Sequence, residues 1–247
     1  MKSSKSDAFF TPRWQAPNTI GALQTMRSGG FSESVYDSFN LGNHVDDAPD
    51  AVAKNRALLD AQLPAPARYV NQVHGTHIHI VLDDHSDTLV DADGQFTACK
   101  NVPLAIMTAD CLPVLLASDD GKEIAALHCG WRSLAGGIIE KALPMFSASP
   151  ANICAWLGPA IGSSAFEVGA EVRSAFIAHN PEHVCAFKAT TDKYLADLPM
   201  LAKQKLTHLG VTAIDDAAQC TYTLNERYFS YRRDGQTGRM ASVIWRK

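Results

Sequence analysis

The amino-acid sequence predicts a single domain of the α+β class. Strand-like apolar runs and segments of helical periodicity alternate irregularly along the chain, which favours this class over a doubly wound parallel sheet. The 247 residues contain no linker, internal repeat or low-complexity segment. With 46% apolar and 19% charged residues, the chain has the composition of an ordinary globular protein with enough apolar surface for a full core.

Charge and cysteine content exclude several classes of function. A net charge of −4 and an isoelectric point near 6.1 argue against binding to nucleic acid or to an anionic membrane surface. No apolar run approaches the roughly 18 residues that a membrane-spanning helix needs. The polar start, 1–7, lacks the apolar core of a signal peptide and is expected to be a frayed tail. The 6 cysteines show no Cys-x-x-Cys pair, which predicts free thiols in a reducing cytoplasm.

A glycine turn is predicted at 26–32. Arg27 precedes Gly29 and Gly30, and paired glycines allow a tight turn whose N–H groups point to one side. Such a nest of amides can hold an anion; an ordinary turn between two strands is the alternative. The following segment, 40–44, has the composition of a loop.

A helix is predicted from 48 to 63. Pro49 and Asp50 suit its first turn, apolar residues recur with helical spacing, and the Pro-Ala-Pro run at 64–66 ends it. Arg56 lies on the stripe of this helix that should face inward. Its side chain can reach a buried carboxylate or extend to solvent.

Strands are expected at 69–73 and 76–82. In the second of these, the apolar and polar residues alternate, so that His77 and His79 share one face. That face is expected to be solvated, and a metal-binding histidine pair is the alternative.

The middle of the chain is predicted to hold buried strands and one long helix. The strands are 102–108, 112–117 and 124–128, each a nearly continuous apolar run. The helix begins at Trp131 and extends to about Phe146. Gly136 and Gly137 lower its helix propensity and can mark close packing against a sheet.

The last hundred residues alternate between helices and strands. A strand is expected at 152–157, followed by a rigid loop at 158–162. Helices are expected at 166–178 and 194–209, since apolar residues recur there with a spacing of three or four. Two alternating segments, 228–231 and 240–245, are joined by a turn at 232–235.

Three short polar pieces next to these strands carry metal-binding side chains. His74 ends the piece 71–74, Cys111 lies within 108–113, and His128 lies within 127–132. One thiolate and two imidazoles, without a fourth protein ligand, form a zinc site with an open position for water or substrate. The residues therefore suggest a zinc enzyme with His74, Cys111 and His128 as ligands. The spacing is not a fixed zinc signature, so buried structural roles for the three residues remain the alternative.

Six motifs, taken together, resemble those of the YfiH family. They are 71–75 (Asn-Gln-Val-His-Gly), 91–94 (Asp-Ala-Asp-Gly), 108–113 (Thr-Ala-Asp-Cys-Leu-Pro), 128–132 (His-Cys-Gly-Trp-Arg), 157–162 (Leu-Gly-Pro-Ala-Ile-Gly), and 220–222 with 230–234. This family is also called the laccase-domain, multicopper polyphenol oxidoreductase or peptidoglycan editing factor family. The chain departs from its usual motifs with Met26, Cys129 and Ser133.

The resemblance implies a fold and a domain division. The fold is a single-domain α/β/β/α sandwich of mixed sheets, which falls within the α+β class. The resemblance covers about Gly21 onward, so 21–247 would be the catalytic domain and 1–20 an N-terminal tail and entry segment. The implied metal ligands are again His74, Cys111 and His128.

The resemblance also implies an activity. Members are described as purine nucleoside phosphorylases that act on adenosine, inosine and methylthioadenosine, with adenosine deaminase activity in addition. The expected partners are therefore a small-molecule nucleoside and phosphate, with zinc as cofactor, copper binding in vitro, and a monomeric state.

Particular residues are candidates for this chemistry. The phosphate would be bound by Arg27 with the amides of Gly29 and Gly30, together with Arg132 or Arg233, because guanidinium groups match phosphate oxygens. Asp110, beside the ligand Cys111, would act as a proton shuttle or would accept a hydrogen bond from a ligand histidine. Capping of the following turn is the alternative role for Asp110.

Four other functions remain open at this stage. A zinc amidase that trims cell-wall precursors would use the same open zinc site. A cysteine hydrolase would use Cys111 and His128 without a metal. A non-catalytic module would bind a nucleoside without converting it. A multicopper oxidase is disfavoured, because the 9 histidines include only one His-x-His pair.

Overall fold

The computed structural model describes residues 8–82 and 89–247, so the predicted tail at 1–7 lies outside the described residues. The strands, in chain order, are β1 (Phe9–Phe10), β2 (Ile20–Thr25), β3 (Ile78–Ile80), β4 (Gly94–Thr97), β5 (Leu104–Thr108), β6 (Leu112–Ser118), β7 (Ile124–Cys129), β8 (Ile153–Leu157), β9 (Glu167–Val168), β10 (Phe187–Ala189), β11 (Tyr194–Ala196), β12 (Ala213–Asp216) and β13 (Met240–Arg246).

The helices are shorter than the sequence suggests. They are α1 (Pro49–Asp60), α2 (Trp131–Ala135), α3 (Ile138–Ala142), α4 (Ala170–Ile177), α5 (Leu198–His208) and α6 (Tyr231–Asp234), with 3-10 turns at Ser34–Tyr36, Leu143–Met145, Pro150–Asn152 and Pro181–Ala186. Within the described ranges, no helix has the length and apolar character needed to cross a membrane.

The strands form two large sheets and one small one. The six-stranded sheet has the order β12-β8-β6-β7-β4-β3, and the four-stranded sheet has the order β1-β2-β13-β5. The four-stranded sheet is antiparallel throughout, whereas the six-stranded sheet is mixed, with parallel pairs at both of its edges. The small sheet, β10-β11-β9, lies beside α4 and α5 in the chain.

The two large sheets pack face to face and are covered by helices on their outer faces. Leu115 and Trp156 from the six-stranded sheet meet Ile106 and Ile244 from the four-stranded sheet in the inner core. On the outer face of the six-stranded sheet, buried strand residues pack against helices α2 to α5. Helix α1 covers the other sheet through Leu59. This layering is the expected α/β/β/α sandwich, and the fold class is confirmed.

Two predictions in the first half of the chain were wrong in detail. Residues 69–73 are not a regular strand, because only an isolated bridge joins Asn71 to Asp91. The predicted helix 131–146 is broken into α2 and α3, because Gly137 has φ 89°, a left-handed conformation that no helix interior accepts. Gly136 does pack closely, since a Cβ atom there would lie 2.9 Å from the methyl group of Thr76.

The helices predicted at 166–178 and 194–209 both begin too early. Their first residues form β9 and β11, which pair with each other in the small sheet. Helix α5 begins only after Asp197, whose carboxylate accepts a hydrogen bond from the N–H of Met200 at 2.9 Å. The alternating segment 228–231 is not a strand either. Ser230 instead caps α6 by accepting a hydrogen bond from the N–H of Arg233.

Asn55 on α1 fastens the loops that precede it. The residue is fully buried, and its side-chain carbonyl accepts a hydrogen bond from the N–H of Phe31 at 2.8 Å. Its amide group donates to the carbonyl oxygens of Ser38 and Asn40. Arg56, next in the helix, donates to the carbonyl of Leu41 rather than to a carboxylate. Helix α1 therefore holds the segment 30–41 against the four-stranded sheet.

The substitution Asn55→Ala is expected to lower the free energy of unfolding by about 3 kcal/mol. The side chain has four hydrogen-bond partners, but one acceptor contact and two N–H donors amount to three full hydrogen bonds, each worth roughly 1 kcal/mol. Their loss leaves the N–H of Phe31 without its partner. Denaturant unfolding of the purified variant measures this change. The exposed Asn43→Ala serves as control and should change stability by less than about 0.5 kcal/mol; equal effects of both substitutions would contradict the role of Asn55.

Candidate metal centre and its cavity

Three potential metal ligands meet where the sequence analysis places them together. The ligand atoms of His74, Cys111 and His128 all lie within 4.8 Å of one another. The Sγ atom of Cys111 is 3.7 Å from Nε2 of His74. Two such ligands on one tetrahedral zinc ion would be separated by about 3.6 Å, from Zn–S and Zn–N bonds of about 2.3 and 2.05 Å. The donor set and its spacing therefore fit a metal ion of this size.

The antiparallel pair β6 and β7 brings two of the ligands together. Leu112 is paired with Cys129, and Pro113 with His128, so that Cys111 faces Gly130 across the ladder. A Cβ atom on Gly130 would lie 3.0 Å from both Cys111 Sγ and His74 Cδ2. Only glycine leaves the ligand atoms enough space at this position.

His74 reaches the cluster from a loop, and Asp93 fixes that loop. The backbone of His74 is left-handed, with φ 60°. The carboxylate of Asp93 accepts hydrogen bonds from the N–H groups of His74 and Gly75 at 2.9 and 2.6 Å. The same carboxylate contacts Nδ1 of His128 at 2.7 Å. One buried carboxylate therefore orients both histidines, and its contact with Nδ1 of His128 leaves Nε2 of that ring available to a metal ion.

The electrostatics favour the thiolate form of Cys111. Burial raises the pKa of Cys111, but the neighbouring imidazoles of His128 and His74 outweigh burial and lower the pKa to about 6. Burial lowers the pKa of His128, whereas Cys111 and Asp93 raise it to about 9. Burial likewise raises the pKa of Asp93, and His128 with the loop N–H groups lowers it overall. The thiolate is the form that binds metal ions, and a bound metal ion would replace the proton on His128.

The three ligands lie on the wall of a cavity of about 500 Å³, a size typical of small-molecule sites. Its apolar wall is formed by Met107, Ala109, Ile161 and Phe166. Its other polar lining residues are His44, Gln72, Thr108, Asp110, Tyr231, Arg232 and Arg239. The cavity therefore combines a metal-binding wall, an apolar wall and a cationic side.

Asp110 lines the cavity, but its carboxylate is engaged in holding loops together. It accepts hydrogen bonds from the hydroxyl groups of Thr221 and Ser230 at 2.6 and 3.0 Å and from the N–H of Arg232 at 2.7 Å. The acceptor for a ligand histidine is Asp93 instead, because Asp93 stands opposite His128 at the start of β4. The geometry thus corrects one of the two roles expected for Asp110, and its proton-shuttle role stays a prediction.

The predicted nest at Arg27 lies outside the cavity lining. The Arg27 guanidinium donates to the carbonyl oxygens of Asp37 and Asn225 and stacks on the ring of Phe229. The N–H of Gly30 donates to the hydroxyl of Ser38, and Gly29 takes a left-handed φ of 94°. This segment therefore behaves as the ordinary glycine turn that was the alternative.

Arg132 and Arg233 are also outside the cavity lining. Arg132 stacks on the ring of Trp131. Arg233 donates to the carbonyl oxygens of Thr221, Tyr222 and Tyr228 and pairs with Asp234. The contacts of Arg233 hold the C-terminal loops together. Since both guanidinium groups are engaged outside the cavity, the geometry does not support the predicted contact of either residue with phosphate.

Asp93, His44 and Arg239 are among the residues of the site that were not chosen from the sequence. Asp93 lies in the 91–94 motif. The two acidic residues of this motif could have indicated a partner for a histidine, but the composition of the motif is typical of a polar turn. His44 and Arg239 come from loops more than 190 residues apart and meet only in the fold, as the hydrogen bond of Arg239 N–H to Asn40, 199 residues away, shows. No local pattern joins two such segments.

Comparison with known proteins places these features in a family. The family model described as multi-copper polyphenol oxidoreductase laccase matches residues 21–247. A Shigella flexneri protein named purine nucleoside phosphorylase YfiH is 48% identical over 95% of this chain and 97% of its own length. The Escherichia coli protein of the same name is 47% identical over the same shares.

Solved structures are similar as well. A Neisseria meningitidis protein superposes with a TM-score of 0.94 at 42% identity, covering 97% of this chain and 99% of its own. The Bacillus licheniformis hypothetical protein YfiH superposes with a TM-score of 0.88 at 31% identity, covering 93% of this chain and 94% of its own.

The substitution Asp93→Asn is expected to weaken zinc binding by about 10- to 100-fold. The amide lacks the negative charge and offers only one acceptor atom to the histidine loop and to His128. Competition with a chromophoric chelator measures the affinity. Asp91→Asn, an exposed carboxylate two residues earlier that accepts a hydrogen bond from Asn71, is the control; an unchanged affinity in Asp93→Asn would contradict this role.

The substitution Gly130→Ala is expected to weaken metal binding by about tenfold, because an overpacking cost of roughly 1–3 kcal/mol falls on the ligands. Its backbone, φ −58° and ψ 156°, suits alanine, so only the space is in question. The matched control is Gly136→Ala, where a Cβ atom would meet the Thr76 methyl at 2.9 Å. That control should lower the melting temperature without changing metal affinity. Equal metal affinities in the two variants would be the contrary result.

Proposed function

The chain belongs to the YfiH family of laccase-domain proteins, and from this premise we propose that it is a metal-dependent purine nucleoside phosphorylase. Relatives that share nearly half of its residues carry the name of that enzyme. The structural observation that carries the proposal is the position of His74, Cys111 and His128 on the wall of a cavity sized for a nucleoside.

The proposed reaction exchanges one bond at the anomeric carbon of ribose. The bond from this carbon to the purine nitrogen breaks, and a bond to a phosphate oxygen forms, giving ribose 1-phosphate, or 5-methylthioribose 1-phosphate when methylthioadenosine is the substrate. The purine leaves with the bonding electron pair and takes up the proton that the phosphate loses. Adenosine, inosine and methylthioadenosine are the proposed substrates.

The metal centre would be held by His74, Cys111 and His128. The proposed metal is zinc, since a set of one thiolate and two imidazoles with an open position is typical of catalytic zinc sites. Copper binds ligands of this kind more tightly than zinc, so copper-loaded protein is expected in vitro. When bound, the ion supplies Lewis acidity to the cavity.

The protein side chains would bind and orient the reactants. Ile161 and Phe166 offer the apolar surface that a purine requires, beside the metal-binding wall. Asp110 keeps this arrangement in place, because its side chain joins the loop before Cys111 to Thr221 and Ser230. The carbonyl oxygen of Asp110 also accepts the N–H of Ile161 at 2.9 Å. Asp110 is therefore proposed as a positioning residue.

Adenosine deamination is proposed as an additional activity of the same cavity. In this reaction water replaces the amino group of the purine ring, and ammonia leaves. Both reactions use one purine-binding wall, so the substrates should compete with each other.

A metal-free cysteine hydrolase is the second candidate, because one observation favours it. Asp93, His128 and Cys111 form a chain of contacts like that of a catalytic triad, with Asp93 Oδ1 at 2.7 Å from His128 Nδ1. Chelation separates the candidates, since only the thiol enzyme would keep its activity. A multicopper oxidase has little support: across residues 8–82 and 89–247, the set of His74, Cys111 and His128 is the one group of three potential ligands.

Cellular location and assembly are further parts of the proposal. All 6 cysteines are unpaired, which supports a cytoplasmic enzyme. The monomeric state stays a prediction, and sedimentation of the purified protein would measure it.

The test is phosphate-dependent release of hypoxanthine from inosine by the zinc-loaded protein, followed by chromatography. Removal of zinc with a chelator, or Cys111→Ala, should lower the rate at least about 100-fold, and zinc should restore only the chelated wild type. Cys185→Ala, an exposed thiol, is the control. If metal-loaded protein releases no base and forms no inosine from adenosine, the proposal fails, and hydrolysis of cell-wall amides becomes the next activity to measure.

A further inference from the structure

Two arginines line the cavity, and neither forms an ion pair with a carboxylate among the described residues. Arg232 is exposed and donates to the carbonyl oxygen of Glu167, whereas Arg239 is the less exposed of the two. Arg239 is partly buried, and its Nη1 atom donates to the carbonyl oxygens of Thr237 and Gly238 at 2.9 and 3.1 Å. The guanidinium also lies over the ring of Tyr231, 6.0 Å from its centroid. A guanidinium group carries five N–H donors, and the hydrogen bonds of Arg239 to the described residues use Nη1 alone. Removing such a cation from water is costly unless an anion compensates it.

The loop 40–44 brings a second nitrogen-containing side chain, His44, to the part of the cavity that Arg239 lines. Oδ1 of the fully buried Asn40 accepts the N–H groups of Arg239 and Gly42 at 2.8 and 2.9 Å. The N–H of Leu41 donates to the carbonyl of Arg239 at 3.1 Å. His44 follows on the same loop and lines the same cavity. The main chain at Arg239 and the loop that carries His44 are therefore joined by hydrogen bonds, and both side chains line the cavity.

Arg239 and Arg56 bring positive charge to this corner of the cavity, while the nearby Cys111 and Asp110 act in the opposite sense. Burial lowers the pKa of His44, and the charges of Arg239 and Arg56 lower it further. Burial is also the main cause that lowers the pKa of Arg239, whereas Cys111 and Asp110 raise it. The nearest acid in the lining, Asp110, already accepts three hydrogen bonds from other groups. The corner therefore offers donors and positive charge to a ligand.

We propose that Arg239 and His44 form the binding site for the phosphate that attacks the nucleoside, with Asn40 holding the main chain of both segments together. This binding site is called the phosphate seat, or the seat. A guanidinium fork matches two oxygens of a tetrahedral dianion. A neutral imidazole can accept the P–OH proton or donate its N–H to a third oxygen. The inference rests on the proposed phosphorylase reaction and replaces Arg27, Arg132 and Arg233 as its phosphate contacts.

The seat also explains the glycine at position 42. A Cβ atom there would lie 2.8 Å from Cγ of Arg239 and 3.3 Å from its Cβ. Arg239 would have to swing away from the loop that carries His44. A substitution at this position thus displaces the guanidinium without removing its charge.

The first experiment measures binding of inorganic phosphate to the zinc-loaded protein by calorimetry, without nucleoside. Arg239→Gln should weaken phosphate binding by about tenfold or more, and Gly42→Ala should weaken it by a smaller factor. Arg27→Gln, in a separate hollow beside Asn225 and Glu226, is the matched control and should bind as wild type. Melting temperatures and zinc content identify any variant that is misfolded. If Arg239→Gln is misfolded, phosphate binding by Gly42→Ala and Arg239→Lys tests the proposal instead, and both variants should bind phosphate more weakly than the wild type.

The second experiment separates the seat from the reaction. In steady-state kinetics, Arg239→Gln should raise the KM for phosphate about tenfold and leave the KM for inosine nearly unchanged. Phosphate binding that depends on Arg239 without any turnover of inosine would support the seat and refute the phosphorylase. If Arg239→Gln turns over inosine with an unaltered KM for phosphate, the proposed phosphate site is wrong, whereas the proposed phosphorylase activity stands. Weak binding of phosphate to the wild type, or Arg239-dependent binding of adenosine monophosphate alone, would also overturn it.

Discussion

The hydrogen bonds of the Asp93 carboxylate are the constraint on which the metal centre depends. Asp93 stands at the start of β4, beside β7, and its main-chain carbonyl accepts the N–H of His128 at 2.7 Å. Its side chain binds the ring of the same histidine and the turn that carries His74. The six-stranded sheet thus determines the position of one ligand by strand pairing and of another through a single side chain. Cys111 needs no such support, because the start of β6 places it directly.

The sequence was sufficient for the centre of the fold and for choosing the three residues that the structure groups as potential metal ligands. Buried strands such as β5, β6 and β7 are continuous apolar runs, and polar residues at their ends mark the ligands. The helices were harder to predict, because apolar residues at a spacing of three or four continue through short strands. At β9 and β11, pairing between Leu195 and Glu167 overrides the local helical pattern. At Gly137, a left-handed backbone conformation divides one apolar stripe into two helices.

The cationic side of the cavity shows which arginines line the cavity, and the sequence alone could not predict this. Arg27, Arg132 and Arg233 stand in recognisable motifs, yet each of these guanidinium groups is used by carbonyl oxygens or an aromatic ring. No sequence motif chosen in the sequence analysis predicts a binding role for Arg239 or His44. The case for Arg239 rests on its partial burial and on the lack of an acidic partner in the described structure, and the case for His44 rests on its place in the cavity wall; these are properties of the folded chain.

The position of β13 between β2 and β5 has a consequence for the order of assembly during folding. Ser242 and Gln24, joined by a hydrogen bond in this sheet, are 218 residues apart, whereas Asp93 and His128 are 35 residues apart. Closing the longer loop costs roughly 1.6 kcal/mol more in chain entropy, and contacts between distant segments slow folding. Arg239 immediately precedes β13. A nascent fold would therefore bring His74, Cys111 and His128 together before it completes the part of the cavity wall that contains Arg239.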